Sequence, residues 1–209
     1  SYKEIHIELG MSVSTLSNWF KNVDFLEEIK HSINTRAQSI STARLQSLNN
    51  ARGDILQAHY AQAEIEAKKE LEENIHDPLF ISAIAAYWGE GDKSNGNHVR
   101  LANTDPQMIK LFVNFLVIKC RVPREKLRGA LYIYGDLEDS VCREYWSKNT
   151  GLEHYHKTMV LPSRHKFKKL TYGTCTVLVT NTYLKKKFMF WIDQMPKIVL
   201  NMGAEKRSK

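Results

Sequence analysis

The chain has 209 residues, 43% of them hydrophobic and 25% charged, with a formal net charge of +7. This length allows one or two domains with a buried core. No apolar run reaches the ~18 residues of a membrane-spanning helix, and Cys120, Cys142 and Cys175 lack the paired spacing of a zinc site or a disulfide framework, so we expect a cytoplasmic protein with no membrane partner.

Residues 1–23 are predicted to form a helix-turn-helix. Apolar residues at helical spacing precede Gly10, and Ser12 is a favourable N-cap for a second helix. The inward residues of that helix are predicted to be Val13, Leu16 and Phe20. In a helix-turn-helix the second helix enters the major groove of DNA. Its outward residues, predicted to contact DNA, are Ser14, Thr15, Ser17, Asn18 and Lys21.

This N-terminal pattern resembles the helix-turn-helix of resolvases and small bacterial repressors. The helix that usually precedes such a pair is missing, and we therefore expect the motif to be truncated. A helical hairpin that only packs against the rest of the protein has the same glycine turn, and it remains the alternative.

Residues 24–77 are predicted to form a helical connector. There is no proline between Phe25 and Asn74, and apolar residues recur at spacings of three and four. The pattern predicts a long amphipathic helix, either continuous or broken near Gly53. Its apolar stripe fits a spacer packed on its own domain and a coiled coil equally well.

A third region, residues 78–200, begins with an apolar helix that leads into two acids. Asp77 can cap this helix and Pro78 suits its first position. Small residues, including Ala83 and Ala85, allow two helix backbones to approach closely. The helix is predicted to end within Gly89-Glu90-Gly91-Asp92, so that two carboxylates lie at its end.

Alternating strands and helices follow this acidic turn. Strands are predicted at 97–105, 127–135, 157–162 and 173–181, and helices at 106–119, 138–151 and 182–195. This order predicts an α+β fold in which helices cover one face of an antiparallel sheet. A basic tail, residues 201–209, ends the chain.

The segment AIAAYWGEG, residues 83–91, resembles the core motif of LAGLIDADG homing endonucleases in the variant that ends in Gly-Glu-Gly. Ala85, Gly89 and Gly91 match its small residues, and Glu90 matches its final acid. Trp88 stands where the motif has its first acid. With the N-terminal region, the chain resembles bacterial proteins that combine a helix-turn-helix with a LAGLIDADG-like domain.

This resemblance implies a specific kind of site. In the family, two such helices pack against each other, each delivers one acid to Mg²⁺ ions at the cleaved phosphates, and the sheets lie on the major groove of double-stranded DNA. Because the chain has one copy of the motif, a complete site needs a homodimer. Glu90, Gly89 and Asp92 are the expected ligands of Mg²⁺ or Mn²⁺, and Glu90 and Lys93 the expected catalytic residues.

Other interpretations of these residues remain open. Glu90 can be a carboxylate that caps a turn, Asp92 fits a turn residue better than a second ligand, and Lys93 can be an exposed turn lysine. The lysines at 185–187 are either solvated or part of a cationic surface. A non-catalytic transcription regulator with a degenerate LAGLIDADG-like domain is the alternative function.

Positive charge is concentrated towards the C-terminus. From Val160 to Lys209 there are eleven Lys and Arg residues but only two acids, a composition typical of a surface that binds nucleic acid. Ordinary solubilising lysines would give the same count. The residues of the C-terminal domain predicted to contact DNA are Arg100, Arg164, Lys166, Lys168 and Lys169.

Overall fold

The computed structural model describes residues 1–21, 26–162 and 170–205. The chain divides into two compact units, Ser1–Gln57 and Ala58–Lys209. This division falls inside the region that the sequence predicts as a connector. The first unit contains α1 (Tyr2–Leu9), α2 (Val13–Trp19) and the first part of α3 (Leu26–Asn74).

The two short helices of the first unit form where the sequence predicts them. Gly10 ends α1 in the left-handed region with a φ of 68°, which a glycine adopts without strain. The side chain of Ser12 accepts a hydrogen bond of 3.1 Å from the backbone N–H of Thr15 and so caps α2. The inward position predicted for Val13 is wrong, because its side chain is exposed and only Leu16 of α2 is fully buried.

The connector contains one long helix, α3, with no break near Gly53. A glycine in a helix costs only about 1 kcal/mol relative to alanine, so flanking residues can carry the helix through it. Every residue from 34 to 59 is exposed. The last turns of α3 are different, since Ala63, Ala67 and Leu71 are buried in the second unit.

The second unit is a mixed α+β structure, as the sequence predicts. Asp77 caps α4 and Asp105 caps α5, each with a proline in the first turn. After α3 its elements are α4 (Pro78–Glu90), β1 (His98–Asn103), α5 (Pro106–Ile118), a 3₁₀ turn (Arg124–Lys126), β2 (Arg128–Tyr134), α6 (Asp139–Thr150), β3 (Met159–Leu161), β4 (Thr174–Thr180) and α7 (Thr182–Glu205).

The sheet has the strand order β1-β4-β2-β3 and is mixed, so the predicted antiparallel sheet is wrong in part. Strand β4 is antiparallel to both of its neighbours, whereas β3 runs parallel to β2. The helix α6 is the cause of this difference. It connects β2 to β3, and a helical crossover returns the chain in the same direction, as a parallel pair requires.

One face of the sheet is buried against helices. Val99 and Leu101 of β1 are fully buried and pair with Val179 and Val177 of β4, while Arg100 between them is exposed. The buried face belongs to a core with aromatic residues of α4, α5 and α7, in which Phe188 lies 5.2 Å from the ring of Trp191. The other face of the sheet is open and carries Arg100.

The last helix is longer than the sequence predicts. The expected end before Pro196 is wrong, since α7 continues to Glu205. A proline inside a helix removes one backbone donor and crowds the carbonyl four residues earlier. Ile192 and Met195 are buried just before it, so packing offsets this cost and the helix continues. None of the described helices is long and apolar enough to cross a membrane.

The core assignment predicts unequal effects for two equivalent substitutions. Ile84 is fully buried in α4, whereas Ile65 of α3 is 65% exposed. Ile84→Ala is expected to lower the free energy of unfolding by about 2–5 kcal/mol because it leaves a cavity, and Ile65→Ala to change it by less than about 0.5 kcal/mol. Urea unfolding followed by tryptophan fluorescence measures both, and similar midpoints for the two variants would contradict the core described above.

Candidate nucleic-acid interface and metal site

The C-terminal end of α4 presents an exposed carboxylate. Helix α4 buries Phe80, Ile84 and Tyr87, and it extends through Gly89 to Glu90. Glu90 is exposed and makes no hydrogen bond or salt bridge to the residues that the structure describes. Its two oxygens are therefore available to a ligand, as the metal-site prediction requires.

Gly91 allows the chain to turn sharply after this glutamate. Its N–H donates to the carbonyl of Tyr87 at 2.8 Å, and the residue then pairs with Leu101 as an isolated antiparallel bridge. A Cβ at position 91 would lie 2.4 Å from the Tyr87 ring and 2.5 Å from its carbonyl oxygen. Only glycine fits at position 91. The second glycine of the Gly-Glu-Gly segment is therefore required by its close packing against Tyr87.

Asp92 is held in the turn by hydrogen bonds to both of its carboxylate oxygens. Oδ1 accepts from the hydroxyl of Ser94 at 2.7 Å and from backbone N–H groups, and Oδ2 accepts from Nη2 of Arg100 at 2.8 Å. The Ser94 hydroxyl, the backbone donors and the Arg100 charge together lower the pKa of Asp92 to about 2 against the opposing effect of burial. Asp92 is thus ionised, and it fixes the direction of Arg100.

Lys93 and Gly89 contact each other at the end of α4. The Lys93 ammonium group donates to the carbonyl of Gly89 at 3.4 Å, and its side chain is otherwise exposed. Lysines near a helix C-terminus interact favourably with the last carbonyls and with the helix dipole. Two residues predicted for the site, one as a catalytic group and one as a metal ligand, are therefore neighbours.

A buried lysine, Lys185, binds the backbone of this turn. Lys185 of α7 is 2% exposed, and its Nζ donates to the Tyr87 hydroxyl at 2.7 Å and to the carbonyl of Asp92. The Tyr87 hydroxyl also donates to that carbonyl, at 2.6 Å. Burial lowers the pKa of Lys185, and the negative charge of Asp92 opposes this effect. These bonds connect α7 to α4 and to the turn that follows Glu90.

The three lysines at 185–187 have separate environments, which sequence reasoning missed. Lys187 pairs with Glu70 at 2.5 Å, and Lys186 lies 4.7 Å from the ring centroid of Tyr60. Neither solvation nor a shared cationic surface describes them. Lys185 falls in the same helical stripe as Leu184 and Phe188, and a lysine inside an apolar stripe is the signal that could have identified it.

Glu90, Asp92 and Arg100 meet at one cavity of about 360 Å³ on the open face of the sheet. Its floor consists of Ala102 of β1 and Thr176 of β4, which are paired in the sheet. Thr176 is buried, and Tyr132 of β2 also lines the cavity. The sequence places five described residues of the C-terminal domain at a DNA or metal site. Three of them, Glu90, Asp92 and Arg100, line this cavity, whereas Gly89 and Lys93 lie outside its lining.

The predicted DNA-contacting residues of α2 are only partly free. Ser14, Ser17 and Asn18 are exposed, and so is Lys21 after the helix. Thr15 is half-buried, and the hydroxyl groups of Thr15 and Ser14 both contact that of the cap residue, Ser12, at 2.7 and 2.8 Å. Sequence reasoning missed Trp19, which is 63% exposed on the same helix.

The basic loop lies outside the described residues. Arg164, Lys166, Lys168 and Lys169 all fall within positions 163–169. Their contribution to a nucleic-acid surface therefore stays a prediction from the sequence.

Comparisons with protein-family models, with curated proteins and with solved structures gave no significant match to the chain. Among the described residues, no group of three or more His, Cys, Asp or Glu side chains converges as a metal site.

The two glycines on either side of Glu90 give a matched test of this geometry. Gly91→Ala is expected to destabilise the protein by about 1–3 kcal/mol, because its methyl group would overlap Tyr87. A Cβ at Gly89 meets nothing within 4 Å, so Gly89→Ala is expected to stabilise the helix by about 0.5–1 kcal/mol. Thermal unfolding measures both, and shifts of the same sign would rule out the turn described above.

Proposed function

We propose that the protein is a homodimeric, site-specific binder of double-stranded DNA that hydrolyses phosphodiester bonds with Mg²⁺ or Mn²⁺, in the manner of a LAGLIDADG endonuclease. The observation that carries this proposal is the Glu90 carboxylate, free of partners among the described residues, at the mouth of the cavity that also contains Arg100. An exposed acid and a fixed guanidinium at the edge of an open sheet face suit a metal ion and a phosphate group.

The chemistry of the donors fits a hard divalent cation. Mg²⁺ takes oxygen ligands, and proteins commonly hold it with one or two carboxylates together with substrate phosphates. Glu90 would supply the carboxylate, and the Gly89 carbonyl a further oxygen once Lys93 moves away from it. A bound Mg²⁺ supplies Lewis-acid activation and charge neutralisation at the scissile phosphate.

The cationic residues of the turn would orient the phosphate. Asp92 holds one Nη atom of Arg100 and leaves its other N–H groups able to donate to a phosphate oxygen. Lys93 lies within reach of the same region and would stabilise charge that develops in the transition state. Lys185 fixes the backbone of Asp92, whose carboxylate holds Arg100, so the guanidinium group starts from a defined position.

A second copy of α4 would complete the site. The face of α4 opposite the core consists of small or exposed residues at spacings of three and four, and it includes Ser82, Ala85 and Gly89. Trp88 beside this stripe is 51% exposed. A two-fold axis through such a face pairs each Trp88 with small residues of the other copy and brings two Glu90 carboxylates to the same DNA.

Sequence specificity would come from two DNA-reading surfaces. The exposed serines and the asparagine of α2 suit base edges in the major groove, and the open face of the sheet suits a second contact. The helix-turn-helix resemblance and the excess of positive charge support DNA as the partner.

A transcription regulator without nuclease activity is the second candidate. It is favoured by the state of Asp92, whose two oxygens are already bonded, and by Trp88 at the position of the motif's first acid. The Glu90 carboxylate would then have a structural role in the turn and no catalytic role. The same two surfaces would bind an operator.

Glu90→Gln separates these two functions. The substitution keeps the size of the side chain but removes its charge, so Mg²⁺-dependent or Mn²⁺-dependent cleavage of DNA is expected to fall by at least about 10²-fold. Binding of DNA without metal is expected to change little. Cleavage of a plasmid library that carries randomised target sites measures the first effect, and electrophoretic mobility shift measures the second.

Glu144→Gln is the matched control, since Glu144 is also exposed and lies on α6 away from the cavity. It should leave cleavage unchanged. A wild-type protein that binds a specific duplex tightly but cuts no site with either metal would refute the nuclease and leave the regulator.

The dimer is tested by enlarging the exposed face of α4. Gly89→Leu adds a side chain where the single chain has open space, so it is expected to keep the fold but to weaken association by at least about tenfold. Gly53→Leu, at a helical glycine of α3 that also has open space, is the control and should not affect association. Sedimentation equilibrium measures both, and a Gly89→Leu protein that remains fully dimeric would place the dimer contact elsewhere.

A further inference from the structure

The function proposed above assigns no role to the exposed middle of α3. Between Glu28 and Asp54 the sequence has no acidic residue. We call residues 29–53 the acid-free segment. All of its residues are exposed except Ile33, which is half-buried.

Three arginines of the acid-free segment form no salt bridge to a described residue, although the pKa of the Glu4 carboxylate is lowered by the N-terminal ammonium group and, to a smaller extent, by the charge of Arg36. Arg36, Arg44 and Arg52 are exposed, and none of them forms a salt bridge within the described part of the chain. Lys30, at the start of the segment, differs because it pairs with Glu27 at 2.7 Å. The surface formed by the three arginines is therefore cationic and suits a partner with negative charge.

The composition of the segment also indicates a polar partner. Eleven of its 25 residues are Ser, Thr, Asn or Gln. Ser, Thr and Asn are poor helix formers, so helix stability does not explain why so many lie on an exposed helix. The hydroxyl groups of Thr35 and Ser39 donate to carbonyls of the same helix. Ser, Thr, Asn, Gln and Arg are all among the side chains that donate hydrogen bonds to phosphate and sugar oxygens.

A second copy of α3 is a poorer partner for this segment. Ile40 and Leu48 are exposed on one face and could begin a coiled-coil seam, but Arg44 lies between them on that same face. Two parallel copies would bring Arg44 against Arg44 in a buried seam, and the segment offers no acid to pair with them. A buried charge without a partner is strongly destabilising.

We propose that the acid-free segment of α3 is a third nucleic-acid-binding surface, in which Arg36, Arg44 and Arg52 contact the phosphate backbone of duplex DNA. This inference rests on the proposed DNA binding but not on cleavage. Each arginine follows the previous one by eight residues, which is about 12 Å along the helix axis and a rotation of about 80°.

This arrangement fits a helix that lies in a groove. Three arginines distributed over about 160° of the helix circumference reach phosphates on both sides of it rather than a single strand. The major groove of B-DNA admits an α-helix and has a phosphate wall on each side. Continuous helices without a recognition turn bind in this way in other DNA-binding proteins.

The test replaces the three arginines together. Arg36→Gln, Arg44→Gln and Arg52→Gln remove three charges and keep good helix formers at each position. In the full chain we expect duplex affinity at about 0.1 M salt to fall at least about tenfold, and the slope of log K against log salt to decrease by about 0.9 for each phosphate that the variant no longer neutralises. Fluorescence anisotropy with a labelled duplex measures both quantities.

The matched control removes three positive charges at positions outside the acid-free segment. Lys68, Lys110 and Lys148 are exposed on α3, α5 and α6 and form no salt bridge among the described residues, so their triple change to glutamine should leave the slope nearly constant. Circular dichroism confirms that both triple variants fold.

Each other outcome overturns the inference in a recognisable way. If the arginine variant behaves like the lysine control while the wild type still binds and cleaves DNA, the third surface is wrong and the proposed function survives. If the arginine variant instead dimerises more strongly with unchanged DNA affinity, the segment is a self-association seam. If the wild type binds duplex RNA and no DNA, both the surface as stated and the proposed function are wrong.

Discussion

The position of the candidate site depends on one buried cation, Lys185. Its ammonium group is almost completely shielded from water and bonds to a phenol and a carbonyl rather than to a carboxylate. Burying a charge is unfavourable unless polar groups surround it. The carbonyl-rich end of α4 provides a negative electrostatic environment at this point. The same contacts that satisfy the lysine fix the turn that follows Glu90 and contains Asp92, the partner of Arg100.

Local chemistry made much of the fold predictable. The caps at Ser12, Asp77 and Asp105 and the left-handed glycines at 10 and 151 depend on neighbouring residues only, and each ends or begins a helix where the sequence indicates. The direction of β3 and the continuation of α7 beyond Pro196 depend on contacts between distant parts of the chain. Spacing within a segment carries no information about such contacts.

The candidate site was predictable to a similar extent. Glu90, Asp92 and Arg100 could be placed together because the strand that carries Arg100 follows the acidic turn directly and pairs with it. The sequence could not show that Asp92 has both oxygens engaged and Glu90 neither, because this difference arises from how the turn folds on itself. The burial of Lys185 could be read from the apolar stripe of α7, but its partners could not, because they lie 98 and 93 positions earlier in the chain.

The anchoring of α3 also bears on how such proteins could be assembled by recombination. The indole N–H of Trp191 donates to the carbonyl of Ala67 at 2.9 Å, and Ala63 and Leu71 are buried beside it. The final turns of α3 are thus part of the C-terminal core and not merely a connection to it. A gene fusion that exchanged the N-terminal helices would have to join upstream of Ala63, because a junction within these turns would remove part of the C-terminal core.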